Sequence, residues 1–254
     1  MSELFIDPGM LITRANEILD EAKKRDITLR LIGALAFYIH CPQRNYIQLK
    51  AKRYFTDIDF ISYIKYKSKV EKMFSDMGYE GDKRIQTIPG IKRSIFYASD
   101  HKLHSDVFYD ILDFSHQIDF KGRLEIDYPT ISLVDLFLEK MQIVQLNEKD
   151  VIDTAMLILE HDVGSSDQQM INIDWLSRVC KSDWGLWKTV TNNLSKLIRL
   201  LDKYDPIKPE ERTLISERIK AILARIEQEP ATLRWKLRNR IGERVKWYRD
   251  VEEV

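Results

Sequence analysis

Pro129 divides this chain into two textures. Downstream, the segments TISLVDLFLEKMQIVQL, EKDVIDTAMLILEH, WLSRVC, LWKTVTNNLSKLIRLLDKY, EERTLISERIKAILARIEQE and ATLRWKLRNRIGERVKWYRD all space their apolar residues as helices do. Glycine and proline there fall at the joins (Gly164, Pro206, Pro209, Pro230), apart from Gly185 and Gly242. Upstream, helical and strand-like runs alternate. Residues 10–24 put Leu11, Ala15, Ile18, Leu19 and Ala22 on one helical face. ITLRLIG alternates Ile27, Leu29 and Leu31 before Gly33, a strand running into a turn, and ALAFYIH starts a helix. YFTDIDFISYI is β-rich, SKVEKMFSDMGYE is a short amphipathic helix ended by Gly78, and KRIQTI, KRSIFYA and HSDVFYD read as strands, with a turn at Pro89-Gly90. The expectation is an α/β (α+β) domain over residues 1–130 followed by an all-α helical domain over 131–254.

Composition narrows what such a chain does. Its 254 residues are 44% apolar and 31% charged, ample for a hydrophobic core and unlike a disordered segment. Lys plus Arg equals Asp plus Glu at 40 each, which excludes a globally basic nucleic-acid binder while leaving room for a local basic patch. Cys41 and Cys180 belong to no CxxC or Cys/His cluster, so neither zinc spacing nor a disulfide framework is present. MSELFIDPGM lacks the basic region of a signal peptide, and the longest apolar run, Leu31 to Ile39, is far short of the ~20 residues that span a bilayer. These features point to a cytoplasmic protein with no membrane partner.

The most informative segment is Arg53-Tyr-Phe-Thr56-Asp57-Ile-Asp59-Phe. Residues i and i+2 of a strand share a face, so Asp57 and Asp59 project together while Ile58 and Phe60 turn to the core. Adjacent like charges repel, and a divalent cation relieves that repulsion; Mg²⁺ favours one or two carboxylates together with water and phosphate oxygens. Taken alone, two solvated aspartates at an exposed strand end account for the pair at least as well. A third acid, Asp106 in His104-Ser-Asp-Val-Phe-Tyr109, sits among strand formers and makes a site of three converging carboxylates, able to hold two metal ions and clamp both oxygens of a phosphoryl transfer. His101, His104 and His116 have no ligand-type spacing; His104 can approach from the strand face of Asp106, but an ordinary core or surface histidine is the simpler expectation.

Gly33-Ala34 between a strand and a helix, then Thr56-Asp57-Ile-Asp59, then Asp106 on a later strand, together resemble the polymerase-β-type nucleotidyltransferase superfamily. Arg53 and Thr56 match an R-x-x-T-D-h-D variant that resembles the abortive-infection type II nucleotidyltransferase toxins. The resemblance spans roughly residues 25–160 and implies a nucleotidyltransferase-like domain with a mixed sheet. It further implies Mg²⁺ (or Mn²⁺) on Asp57, Asp59 and Asp106, and a nucleoside triphosphate, such as ATP, bound by Gly33, Ala34, Arg53 and Thr56. Family members usually carry a second Gly or a Ser where this chain has Ala34, so the backbone N–H is kept and a hydroxyl is not.

The resemblance extends into the second domain. Leu133, Leu136, Phe137, Met141 and Val144 make an apolar stripe, and Lys140 falls on it, costly unless its amine is paired or reaches water. Related toxin-type enzymes have a lysine here, which assigns Lys140 to the triphosphate or the leaving-group charge, in a cleft between the two domains. Lys149, Asp150 and Asp153 follow in NEKDVID as supporting residues, with Lys149 where an arginine is more usual. An acidic first turn that suits the helix dipole explains the aspartates equally well. The implied partners are an RNA 3′ end such as tRNA, or a protein hydroxyl, as acceptor, and a cognate antitoxin protein. A catalytically silent fold that binds nucleotide or a partner protein is the alternative.

Two basic stretches remain. The loop 40–53 holds four basic residues and no acid. Residues 231–249 carry seven basic side chains and one acid, interleaved with Trp235, Trp247 and Tyr248, a composition that suits a nucleic-acid backbone with stacked bases. Leu233, Leu237, Ile241 and Val245 recur at i+4 there, however, and predict an ordinary packing face with solvated charges on the other side.

Overall fold

The computed structural model describes residues 7–250 except Pro89 and residues 100–102. The N-terminal hexapeptide used in the signal-peptide reading, Pro89 of the expected turn and His101 therefore lie outside the described residues. The chain resolves into two compact units. One comprises residues 1–39, 54–112 and 119–132; the other comprises 40–53, 113–118 and 133–254.

The first unit is built on a five-stranded mixed sheet. Its strands are β1 (Leu29–Ile32), β2 (Asp57–Ser62), β3 (Glu80–Gly81), β4 (Arg93–Tyr97) and β5 (His104–Tyr109), in the order β1-β2-β5-β4-β3. β2 and β5 run parallel at its middle, and every other pairing is antiparallel. Helix α1 (Pro8–Lys24) starts where Oδ1 of Asp7 accepts from the backbone of Gly9 at 3.0 Å and Pro8 takes the first helical position. It buries Leu11, Ala15, Ile18, Leu19 and Ala22, the face its periodicity predicts. α2 (Gly33–His40) follows β1 directly. On α4 (Lys67–Asp76), Phe74 stacks on Phe96 of β4 with ring centroids 4.1 Å apart and meets Phe60 of β2 edge-on at 6.5 Å. These aromatic contacts place Phe60 and Phe96 on the core face of the sheet, so their strand neighbours one residue away face the other side.

One expected strand is a helix. KRIQ forms α5 (Lys83–Gln86), because Oδ1 of Asp82 accepts from the backbone N–H of Arg84 at 2.9 Å and caps it, leaving only Glu80–Gly81 as strand.

The second unit contains α3 (Tyr46–Lys50), α6 (Leu133–Met141), α7 (Glu148–Glu160), α8 (Ile173–Ser182), α9 (Trp184–Leu200), α10 (Pro209–Gln228) and α11 (Leu233–Ile241). Its helices are joined by a feature the periodicity did not predict: two three-residue strands, Asp162–Gly164 and Met170–Asn172, paired in parallel. α6 stops at Met141, although the apolar pattern runs on to Leu146. The side-chain amide of Asn193 donates to the carbonyls of Met141 and Ile143 at 3.0 and 2.8 Å, satisfying the backbone that a longer helix would have paired. α7 opens with a reciprocal capping box between Asn147 and Asp150. Cys41 and Cys180 are buried free thiols, and among the described residues no helix is long and apolar enough to cross a membrane.

Candidate active site

Two adjacent parallel strands bring the acids together. In the β2–β5 register Asp59 pairs with Asp106 and Asp57 with His104, and register partners on neighbouring strands, about 4.8 Å apart, project to the same face. That face, opposite the Phe60 and Phe96 core, therefore carries Asp57, Asp59, His104 and Asp106. β4 adds Arg93 and Tyr97, paired with Phe108 and His104.

The three carboxylates differ in setting. Asp57 is about a third exposed, and its Oδ2 lies 3.8 Å from Nε2 of His104. Asp59 packs against α2: a Cβ on Gly33 would come within 2.3 Å of its Oδ2, and Gly33 has φ +70°. Only glycine satisfies both conditions, and this is what the strand-to-helix turn requires of position 33. Ala34 behind it is buried.

Asp106 is 5% exposed. Its Oδ2 accepts from Nη2 of Arg93, whereas its Oδ1 is buried with no hydrogen-bond partner. Burial pushes the Asp106 carboxyl above the usual carboxylate range, and the Arg93 guanidinium pulls it back. Arg93 itself lies over the ring of Phe108, its guanidinium carbon 5.3 Å from the centroid. Sequence reasoning missed Arg93, because KRSIFYA shows a strand but not which residue of another strand it faces.

A second constellation belongs to the other unit. Nζ of Lys140, with only 12% of the side chain exposed, lies 3.4 Å from Glu139 and 3.7 Å from both Asp150 and Asp153. Burial alone would lower the Lys140 pKa, but Glu139, Asp153 and Asp150 raise it above the ordinary lysine value. Arg53 approaches the same Asp153 at 3.7 Å, and Nε2 of Gln48 donates to Asp153 Oδ1 at 2.6 Å. Burial also lifts the Asp150 carboxyl, opposed by Lys140. Asp150 thus caps α7 and faces Lys140 at once. Glu139 and Gln48 are members that no spacing announced. Lys149 and Thr56 are exposed. His116 is a core residue, its Nε2 2.8 Å from the Thr189 hydroxyl.

Among the described residues no three His, Cys, Asp or Glu side chains are gathered tightly enough to hold a metal ion. The first unit's site is thus an aligned row of hard oxygen donors, one of them drawn aside by an arginine.

No protein-family model matches the chain. No curated protein matches its sequence. Among solved structures, the antibiotic-resistance factor ANT(2'')-Ia is similar with a TM-score of 0.41 and 11% identity, over 68% of this chain and 95% of that one.

Proposed function

We propose that the chain is a nucleotidyltransferase that moves a nucleoside monophosphate from a nucleoside triphosphate to a hydroxyl acceptor. One observation carries the reading: Asp59 and Asp106 are register partners on parallel neighbouring strands, with Asp57 on the same face and Gly33 closing on Asp59. The donors are all carboxylate oxygens, the class preferred by Mg²⁺ and Mn²⁺, and the buried Oδ1 of Asp106 lacks a partner that a cation would supply. Their donor chemistry therefore suits a divalent ion, although among the described residues the side chains are not drawn around one point. Asp57, Asp59 and Asp106 are the groups to hold it, and when bound it would stabilise phosphoryl charge and acidify a bound hydroxyl.

The chain's own groups have separate tasks. Asp57 and Asp59 supply fixed negative charge on a rigid strand. Asp106 takes the acceptor's proton as the hydroxyl oxygen attacks the α-phosphorus and pyrophosphate leaves. Gly33 and Ala34, at the start of α2, are assigned to the triphosphate, where a helix N-terminus favours anions. Lys140 and Arg53 pair with Asp153, and Lys140 also with Asp150, and no step here depends on them. An RNA 3′ end such as tRNA, or a protein hydroxyl, is the acceptor class carried by the resemblance, together with a toxin role and an antitoxin partner.

A second reading, a silent fold that binds nucleotide or a partner protein, is favoured by the Arg93 contact, which already neutralises Asp106. Transfer assays with each of four α-labelled nucleoside triphosphates, Mg²⁺ or Mn²⁺, and total RNA or mixed protein separate the two. Label transferred by the wild type and not by Asp57→Ala/Asp59→Ala supports the enzyme. A folded wild type that labels nothing while still binding nucleotide in calorimetry sinks it in favour of the silent fold.

A further inference from the structure

The row Leu233, Leu237, Ile241 and Val245, expected from its spacing to be a packing face, points outward. These side chains are 74%, 51%, 45% and 56% exposed. α11 is fastened by a different side. Trp235 is buried against Trp187 at a ring separation of 5.0 Å, Asn239 accepts from the indole N–H of Trp184 at 2.7 Å, and the Arg238 guanidinium covers the Trp184 ring at 4.5 Å. The segment beyond the helix is pinned as well: Arg238 donates to the carbonyls of Gly242 and Val245, and the backbone N–H of Arg249 donates to the carbonyl of Ser115 at 3.0 Å. The apolar row therefore stands on a held element.

Its rim is positive and uncompensated. Arg234, Lys236, Arg240 and Arg244 are exposed, and among the described residues none of them forms an ion pair. Within the described stretch 231–249 the one acid, Glu243, is taken by Lys188 at 2.6 Å. On α10, by contrast, Arg212, Arg218 and Arg225 each pair with an aspartate. At 100° per residue, Leu233, Leu237 and Ile241 fill an arc of about 80°, with Arg234 and Arg240 about 60° to either side of its centre.

We infer that this face of α11 docks an amphipathic helix of a partner protein that carries aliphatic residues along one stripe and acidic residues on both flanks. The charges decide against other occupants. A second copy packed on the same face would set arginine against arginine. Single-stranded nucleic acid stacks on aromatic planes, and this face is aliphatic because Trp235 is turned inward. Interfacial membrane binding grows with the apolar area a helix can sink, and α11 offers three aliphatic side chains in nine residues. An acidic helix covers the row and pairs the rim, the helix-in-groove mode of recognition.

The probe is a hydrocarbon-stapled helical peptide with leucines at i, i+4 and i+8 and glutamates flanking them, labelled for anisotropy and titrated with the full chain. The expected result is saturable binding that salt weakens, that falls at least about tenfold in Leu237→Glu/Ile241→Glu, and that is absent for the same peptide with lysines in place of glutamates. Arg234→Glu/Arg240→Glu should exchange the preference and take the lysine peptide. Unchanged circular dichroism and melting show that the variants fold. Equal or no binding of the two peptides overturns the proposal. So does Leu237-dependent dimerisation in sedimentation, or Leu237-dependent adsorption to phosphatidylcholine–phosphatidylserine vesicles in place of peptide binding.

Discussion

Gly33 and Asp59 compete for one space: a methyl group on Gly33 would sit 2.3 Å from Oδ2 of Asp59 and 3.1 Å from its Cβ. The strand carrying the central acid and the turn opening α2 are therefore fitted to each other at atomic distance. Gly33→Ala adds the cost of a left-handed backbone, about 1–3 kcal/mol, to that overlap. We expect a lowered melting temperature and loss of transfer activity. In Gly33→Ala/Asp59→Gly, part of the lost stability should return while turnover stays absent; additive losses in that double-mutant cycle would refute the fit.

Arg93→Met should destabilise the fold by about 3 kcal/mol or more, because it strands a carboxylate that is 5% exposed. A divalent ion offers the replacement charge. Added Mn²⁺ should accordingly raise the melting temperature of Arg93→Met more than that of the wild type. In Arg93→Met/Asp106→Asn the ion should confer no such extra increment. Equal Mn²⁺ shifts in Arg93→Met and the wild type would mean that Asp106 does not meet the ion.

Lys140→Met removes the cation faced by Glu139, Asp150 and Asp153. The loss should be about 3–5 kcal/mol at neutral pH, with partial recovery in Lys140→Met/Asp153→Asn. Burial already raises the Asp150 carboxyl, and without Lys140 it rises further. A carboxyl raised on folding is bound to its proton more tightly in the folded state, so acidification should shrink the penalty. Denaturant titrations at neutral and mildly acidic pH test this, and a penalty that grows in acid would contradict it.

Asp82 gives the opposite sign. Hydrogen bonding from Arg84 holds its carboxyl down at about 2, below the ordinary 3.8. The stability it confers is present above the ordinary value and is lost as pH falls from near 4 toward 2. Wild type should lose stability across that window, and Asp82→Asn should show a flatter acid limb there while giving up part of the cap on α5. Parallel acid limbs would rule the linkage out.

What the chain disclosed beforehand follows from the reach of periodic patterns. The buried face of α1 and the pairing of Asp57 with Asp59 on one strand face depend on neighbours within a few residues, and both were legible. Gly33 announced a turn, but its closeness to Asp59 depends on how β1 and β2 align, which a single chain does not encode locally. Arg93 reaches Asp106 only through the β4–β5 register. α5 eluded the pattern because one cap outweighed a strand-like run. α11 inverted it: tryptophan and arginine contacts seated the helix, and the regular aliphatic row was left outside.

The chain crosses between the two units five times, at 39/40, 53/54, 112/113, 118/119 and 132/133. No single cut separates them. A fragment ending at 132 keeps Gln48 and Arg53 but loses the Asp153 they contact, and the complementary fragment buries Asp153 without Gln48. Neither half is an exchangeable cassette. A single-point recombination would split at least one of the two units at any of these crossings.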